Sequence, residues 1–380
     1  MWFKRMAIER ESPEEYGYGA IDYNLSESSV PDRYLRGIDF DLGKILMCYG
    51  HHWGQPALRE QIAEQYDGLP FDQILVTGGA AEALFVVAAT LLKPGDHVVV
   101  EHPNYPSNYE VPRSLGCTVD VLPLHFKAQF ELDVDRLKHL VTPQTKLISL
   151  THPHNPTGTM ISEDTLEAVI AIAESSDTFL IFDETYRELT FHAKLPTAAS
   201  LSPKAISIST LSKAYGCPGI RIGWIAMRNT SLLESFLAAK EQINICNSVV
   251  DEKIALSVLE RKDQLISDGN AHVQANFEVL SDWMKTQTDL EYIRPKGGAV
   301  CFPRIREDME VDVREFYRLL WDRYKTFVGP GHWFEQDDRY FRIGYGWPTR
   351  QELATGLENI AMALDEAKSG HSSRAARRDF

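Results

Sequence analysis

Between residues 73 and 210 the chain alternates short apolar runs with amphipathic ones, and this alternation restricts its fold most. QILVTG (73–78), DHVVVE (96–101), TVDVLPL (118–124), LISLTH (147–152), TFLIFDE (178–184) and KAISIST (204–210) are short and rich in β-branched residues. AAEALFVVAATLL (80–92) and EDTLEAVIAIAES (163–175) carry helical periodicity. Strands that are apolar on both faces need both faces covered. The pattern therefore predicts an α/β fold with a mostly parallel sheet flanked by helices. From about Asn276 the rhythm changes. YIRPKGGAVCFPRI suggests a Gly-broken hairpin, followed by a helix near 312–325, a strand at YFRIGY (340–345) and a helix near 350–367. With 380 residues, more than one core is expected. The expectation is a large domain over 45–275, a smaller α+β domain made of 1–44 and 276–367, and a flexible polar, basic tail at 368–380.

A formal net charge of −15 argues against nucleic acid or an anionic membrane as partner, though not against a small anion in a local basic pocket. Five scattered cysteines without a CxxC pair give no disulfide framework and no metal site. The start, MWFKRMAIERESPEEYGYG, lacks the apolar run of a signal peptide, and no later run spans a membrane, so a cytoplasmic location is expected.

Several residues fall where strands end, the rim at which open α/β sheets bind ligands. Gly78-Gly79-Ala80-Ala81 stands between a strand and a helix. Its small residues suit either a plain tight turn or an anion held by the helix N-terminus. Tyr105 either packs or stacks on a flat ring. Asn155, in HPHNPTG, is turn chemistry or an amide donor to a phenolate oxygen. Asp183 closes a wholly apolar strand and needs a cationic or hydrogen-bonding partner. It either meets a protonated ring nitrogen or caps a helix over ETYRELT. STLSKAYGCPGIRIGW (209–224) sets Lys213 and Arg221 among Thr210, Ser212 and small residues, and GWIAM follows as an apolar run. A solvated surface loop would not need that setting.

NPTG, then Asp-x-x-Tyr, then Thr-x-Ser-Lys, then Arg eight positions on, in this order, resembles the class I/II aminotransferases of the pyridoxal-phosphate fold type I. The resemblance runs from about Leu25 to Leu364. It implies that Lys213 forms the Schiff base with pyridoxal phosphate and that Asp183 pairs with the pyridine nitrogen. Asn155 and Tyr186 would reach the ring hydroxyl oxygen and Tyr105 would stack on the ring. Gly79, Ala80, Ala81, Thr210, Ser212 and Arg221 would hold the phosphate. Lys213, Asp183 and Tyr186 would be the catalytic residues. Arg342, in YFRIGYG, would take the substrate α-carboxylate, with Asn155, Ser28 and Glu27 beside the substrate. Tyr49, in YGHHWGQPALRE, would reach the phosphate of a neighbouring subunit, which implies a homodimer with shared sites; Asn247 or Ser248 would cross over with it.

The chain departs from the family pattern at YNLSESSV (23–30), where Glu27 and Ser28 replace a common glycine, and at Ala81, where a hydroxyl is common. His51, His52 and Trp53 add bulk expected near the substrate mouth, and Glu82 opens the phosphate-side helix. The expected activity is transfer of an amino group between an L-amino acid, of basic or polar side chain, and a 2-oxo acid. Lyases, cyclases and oxygen-using enzymes share the apparatus. A regulatory aminotransferase-like domain is a remote alternative.

Overall fold

The computed structural model describes residues 2–37, 41–191 and 193–375. Its centre is a seven-stranded sheet of β1 (Ile74–Thr77), β2 (His97–His102), β3 (Thr118–Pro123), β4 (Thr145–Thr151), β5 (Phe179–Asp183), β6 (Ala205–Thr210) and β7 (Gly223–Ala226), in the order β1-β7-β6-β5-β4-β2-β3. The pairs from β6 through β5, β4 and β2 to β3 are parallel, and β7 is antiparallel to both β6 and β1. All six runs read from the sequence are strands of this sheet. GWIAM supplies the seventh, which periodicity does not single out because it follows a loop instead of a helix.

Alternate side chains of each strand enter different cores, as the period of two requires. Val98, Val100 and Ile181 pack with the helices Ala80–Leu91 and Thr230–Glu241, whereas Val99, Leu180 and Phe182 pack with the helix Glu163–Ser175. Both faces are thus covered, and the sheet is α/β as expected.

This topology makes one edge of the sheet chemical. β1, β2, β4, β5 and β6 all end there. Because β7 runs the other way it begins there, so Arg221 reaches the same edge from the opposite chain direction.

Against that edge lie short strands from both ends of the chain. Tyr23–Asn24 pairs in parallel with Thr326–Phe327. Val300–Cys301 and Gly329–Pro330 flank Phe341–Gly344, both antiparallel. The expected hairpin is only partly formed. Leu290–Glu291 pairs with Arg304–Ile305, just upstream of the expected run, while Val300–Cys301 pairs instead with Ile343–Gly344. Asp312 caps the helix Val313–Asp322, accepting the Glu315 N–H at 3.1 Å. The last helix runs over Arg350–Ala375, beyond the residue 367 where the sequence reading ends it; residues 376–380 of the expected tail lie outside the described residues. Among the described residues no helix is long and apolar enough to cross a membrane.

Candidate active site

A cavity of ≈ 590 Å³ opens at the chemical edge. Thirteen of the residues singled out in the sequence line it: Glu27, Ser28, Ala80, Ala81, Tyr105, Asn155, Asp183, Tyr186, Thr210, Ser212, Lys213, Arg221 and Arg342. Gly79 stands behind the wall and Tyr49 lies elsewhere.

One end is an anion cradle. Gly79 caps the helix Ala80–Leu91 with φ +91°, a conformation that side chains resist. A Cβ there would stand 2.5 Å from Arg221 Nη2. At Gly223 a Cβ would stand 2.7 Å from the Ala80 backbone nitrogen. The two glycines let β7, the helix N-terminus and the guanidinium converge. Arg221 Nη1 donates to the Pro218 carbonyl at 2.9 Å and lies 3.4 Å from Ser212 Oγ, which is 3.0 Å from Thr210 Oγ1. Two hydroxyls, a guanidinium and a helix N-terminus form the donor set that a phosphate monoester requires.

At the middle, Asp183 ends β5 almost fully buried. ETYREL after it is a turn and not a helix, so the helix-cap alternative falls. One carboxylate oxygen accepts the Thr185 N–H at 3.1 Å. Burial pushes the carboxyl above its ordinary value, against the Thr185 hydrogen bonds and the charge of Lys213. Such a carboxylate gains from a cation placed in the cavity. His152 stacks beside it on Phe182, centroids 5.7 Å apart, and is pushed down to about 3 by burial, so it is neutral. Lys213 Nζ donates to Ser28 Oγ at 3.0 Å, and the same hydroxyl accepts from the Tyr186 phenol at 2.9 Å.

At the other end Arg342 is nearly fully buried. Nη1 donates to Asn155 Oδ1 at 3.0 Å and Nη2 to the Ser26 carbonyl at 2.6 Å, while Nε has no partner. Ser26, Glu27 and Ser28 stand here because Gly344 lets two backbones meet. Its N–H donates to the Leu25 carbonyl at 2.7 Å, and a Cβ on it would fall 1.6 Å from the Glu27 carbonyl oxygen. Glu27 thereby lines the cavity, half-buried, instead of pointing to solvent. Burial raises its pKa, with Glu14 and Asp32 acting the same way and Lys213 and Arg342 against.

One other expectation needs correction. Glu82 turns back to accept the Gly78 N–H and the Asn244 amide (2.9 Å), so it caps the cradle and does not face substrate. His52 bonds Glu241, and His51, His52 and Trp53, in the segment expected to come from the partner subunit, lie outside their own chain's cavity as Tyr49 does; Trp53 packs under the Arg59 guanidinium at 5.4 Å. Ser248 caps the helix Val249–Leu259, and Asn247 donates to Glu252 at 3.2 Å.

Sequence reasoning missed the N-terminal arm. Glu9, Ser12, Pro13, Glu14 and Tyr18 all line the cavity. Glu9 accepts from the Tyr105 phenol at 2.7 Å. Glu11 accepts from His332 Nε2 (2.7 Å) and Trp333 Nε1 (3.0 Å). The only signal in the sequence is the run of acids ERESPEE, which reads equally well as a solvated stretch.

The model for aminotransferase class I and II matches residues 19–360. The chain belongs to this family. It is 29% identical over 348 residues to capreomycidine synthase of Streptomyces vinaceus, covering 91% of this chain and 88% of that one. It is 33% identical over 293 residues to an arginine–pyruvate transaminase of Pseudomonas aeruginosa, covering 74% and 73%. Its fold matches a PLP-dependent aminotransferase from Streptococcus suis with TM-score 0.89 and 27% identity, over 97% and 99% of the chains. The protein is a pyridoxal-phosphate-dependent aminotransferase of fold type I. The anion cradle, the buried carboxylate and the lysine at the cavity centre fit the cofactor's phosphate, ring nitrogen and aldehyde.

Proposed function

We propose that the aminotransferase moves the amino group of an L-amino acid with a basic side chain to a 2-oxo acid, with Lys213 as covalent anchor and proton carrier. One observation carries the reading: Lys213, Asp183 and Arg342 line one cavity whose far end is the anion cradle. When bound, the cofactor supplies a sink for the electron pair of the substrate Cα–H bond. The chain's residues do the rest. Arg221, Thr210, Ser212 and the helix N-terminus, with Gly79 giving the close approach, fix the phosphate. Asp183 keeps the ring nitrogen protonated, and Asn155 and Tyr186 hold the ring oxygen. Tyr105 covers the ring face.

The unpartnered Arg342 Nε makes the guanidinium a receptor for the α-carboxylate. Holding that carboxylate would orient the substrate so that its Cα proton faces Lys213. Lys213 Nζ, kept by the Ser28 hydroxyl at 3.0 Å, would take the substrate Cα proton and hold it for return. Glu27 favours a cationic side chain, and the likeness to an arginine–pyruvate transaminase supports that donor class.

The reading includes a cytoplasmic homodimer. Tyr49, 80% exposed, lies outside its own chain's cavity, and the exposed Leu46, Met47, Ile243 and Ile245 supply apolar surface for a second copy. Tyr49 then reaches the partner's phosphate.

The test is a panel of amino acids against the purified holoenzyme. Conversion of the cofactor to its amine form, with release of a 2-oxo acid, supports transamination. The likeness to capreomycidine synthase favours ring closure as the second reading. A cyclic product without any 2-oxo acid would replace the first.

A further inference from the structure

The N-terminal arm, residues 7–18, supplies the cavity with acids that the reaction does not use. Glu9 lies on the short helix Ala7–Arg10 and Glu14 on Pro13–Tyr16. Both line the cavity together with Glu27, and the Tyr18 phenol stands 3.5 Å from Glu27 Oε1. The arm is fastened over the site by Glu9 on Tyr105 and by Glu11 on His332 and Trp333. Independent of the acids, a buried polar atom in the same cavity, Arg342 Nε, lacks a partner. The cavity is therefore built to receive a polar ligand.

The charges indicate which ligand. The cations bearing on Glu27 are Lys213 and Arg342. Both are committed once cofactor and substrate are present, Lys213 to the chemistry and Arg342 to the α-carboxylate. Glu27, half-buried, is then left with the exposed Glu14 acting on it and no uncommitted cation, an unfavourable arrangement that a substrate cation removes.

We infer that the arm is a substrate-specificity element: Glu14, with Glu9, joins Glu27 in a subsite for the cationic end of the amino donor's side chain. The inference rests on the aminotransferase reading above and deepens it. A guanidinium, with five N–H donors in a planar fork, satisfies several carboxylate oxygens at once, so arginine is preferred to lysine.

The experiment compares L-arginine with its neutral isostere L-citrulline and with L-lysine, on the holoenzyme and on Glu14→Gln, Glu27→Gln and Glu9→Gln. It reads kcat/KM and, separately, dissociation constants by calorimetry. The arginine-to-citrulline ratio should fall about tenfold in Glu14→Gln and in Glu27→Gln, with partial recovery in Glu14→Asp. Retained cofactor absorbance and melting temperature exclude misfolding. If wild type prefers arginine but Glu14→Gln and Glu9→Gln leave the ratio unchanged, the arm has no such role, while the basic-donor reading survives on Glu27. If wild type transaminates without preferring arginine, the subsite and the basic donor both fall. If no amino acid is transaminated, the parent reading falls, and calorimetry alone decides whether arginine outbinds citrulline.

Discussion

Replacing Gly344 with alanine should disable the enzyme without emptying its cofactor site. The added Cβ would lie 1.6 Å from the Glu27 carbonyl oxygen, 2.7 Å from its carbon and 3.3 Å from its nitrogen. All three are backbone atoms, so no side-chain rotation relieves the clash. Restoring ordinary contact requires a shift of about 2 Å in the segment carrying Ser26, Glu27 and Ser28. Overpacking of this kind costs about 1–3 kcal/mol of stability, lowering Tm by a few degrees. The catalytic cost is larger. Ser28 holds Lys213 and Tyr186, and the Ser26 carbonyl holds Arg342, so Lys213 and Arg342, the proposed proton carrier and carboxylate receptor, both lose their supports. A misplacement of about 1 Å costs about 100-fold in rate, and kcat/KM should fall by at least about that factor. The assay is steady-state kinetics with the best donor, alongside the cofactor absorbance band and a thermal melt. A folded, cofactor-loaded Gly344→Ala enzyme within about threefold of wild type would refute the claim that this backbone contact sets the site.

Lys213→Ala should lose covalent attachment of the cofactor; borohydride reduction and peptide mapping of the wild type should label Lys213, and label on another lysine would overturn its role. Asp183→Ala should keep pyridoxal phosphate, because the cradle is intact, yet turn over at least about 100-fold more slowly, as measured by single-turnover absorbance. His332 is held by Asp338 and Glu11 and is raised to about 9 from 6.5. A group so raised stabilises the fold fully below about 6.5, and its contribution is lost as pH climbs through about 9. The arm it fastens should therefore become cleavable by protease between pH 7 and 10, and His332→Gln should abolish that pH dependence.

The cofactor half of the site was readable because its residues sit at the ends of strands whose apolar runs declare themselves. Asp183 ends β5, Thr210 ends β6 and Asn155 follows β4, so strand periodicity and local motif point to the same places. The substrate half was only partly readable. Arg342 and Glu27 could be named, but whether Glu27 faces cavity or solvent depends on Gly344, 317 positions away. The arm carries no periodicity; Glu9 and Glu14 gain meaning only because the arm docks over the cavity through Glu9 on Tyr105 and Glu11 on His332 and Trp333. Glu82 misled for the opposite reason. Its acid looks available in the sequence, yet the free N–H of Gly78 claims it. The strand β7 was missed because it follows the Lys213–Arg221 loop with no helix to set a strand–helix rhythm.

The pairing of Tyr23–Asn24 with Thr326–Phe327 joins segments that leave the ribosome far apart in time. About three hundred residues separate them, so at about 5–20 residues per second the first strand waits roughly 15–60 s for its partner. Leu25 and Val30, both buried in the finished enzyme, stay uncovered during that wait. The central sheet needs neither terminus and can close first. A nascent chain therefore passes through a stage with its cofactor cradle formed and its substrate clamp absent, exposing apolar surface that a holding chaperone would recognise.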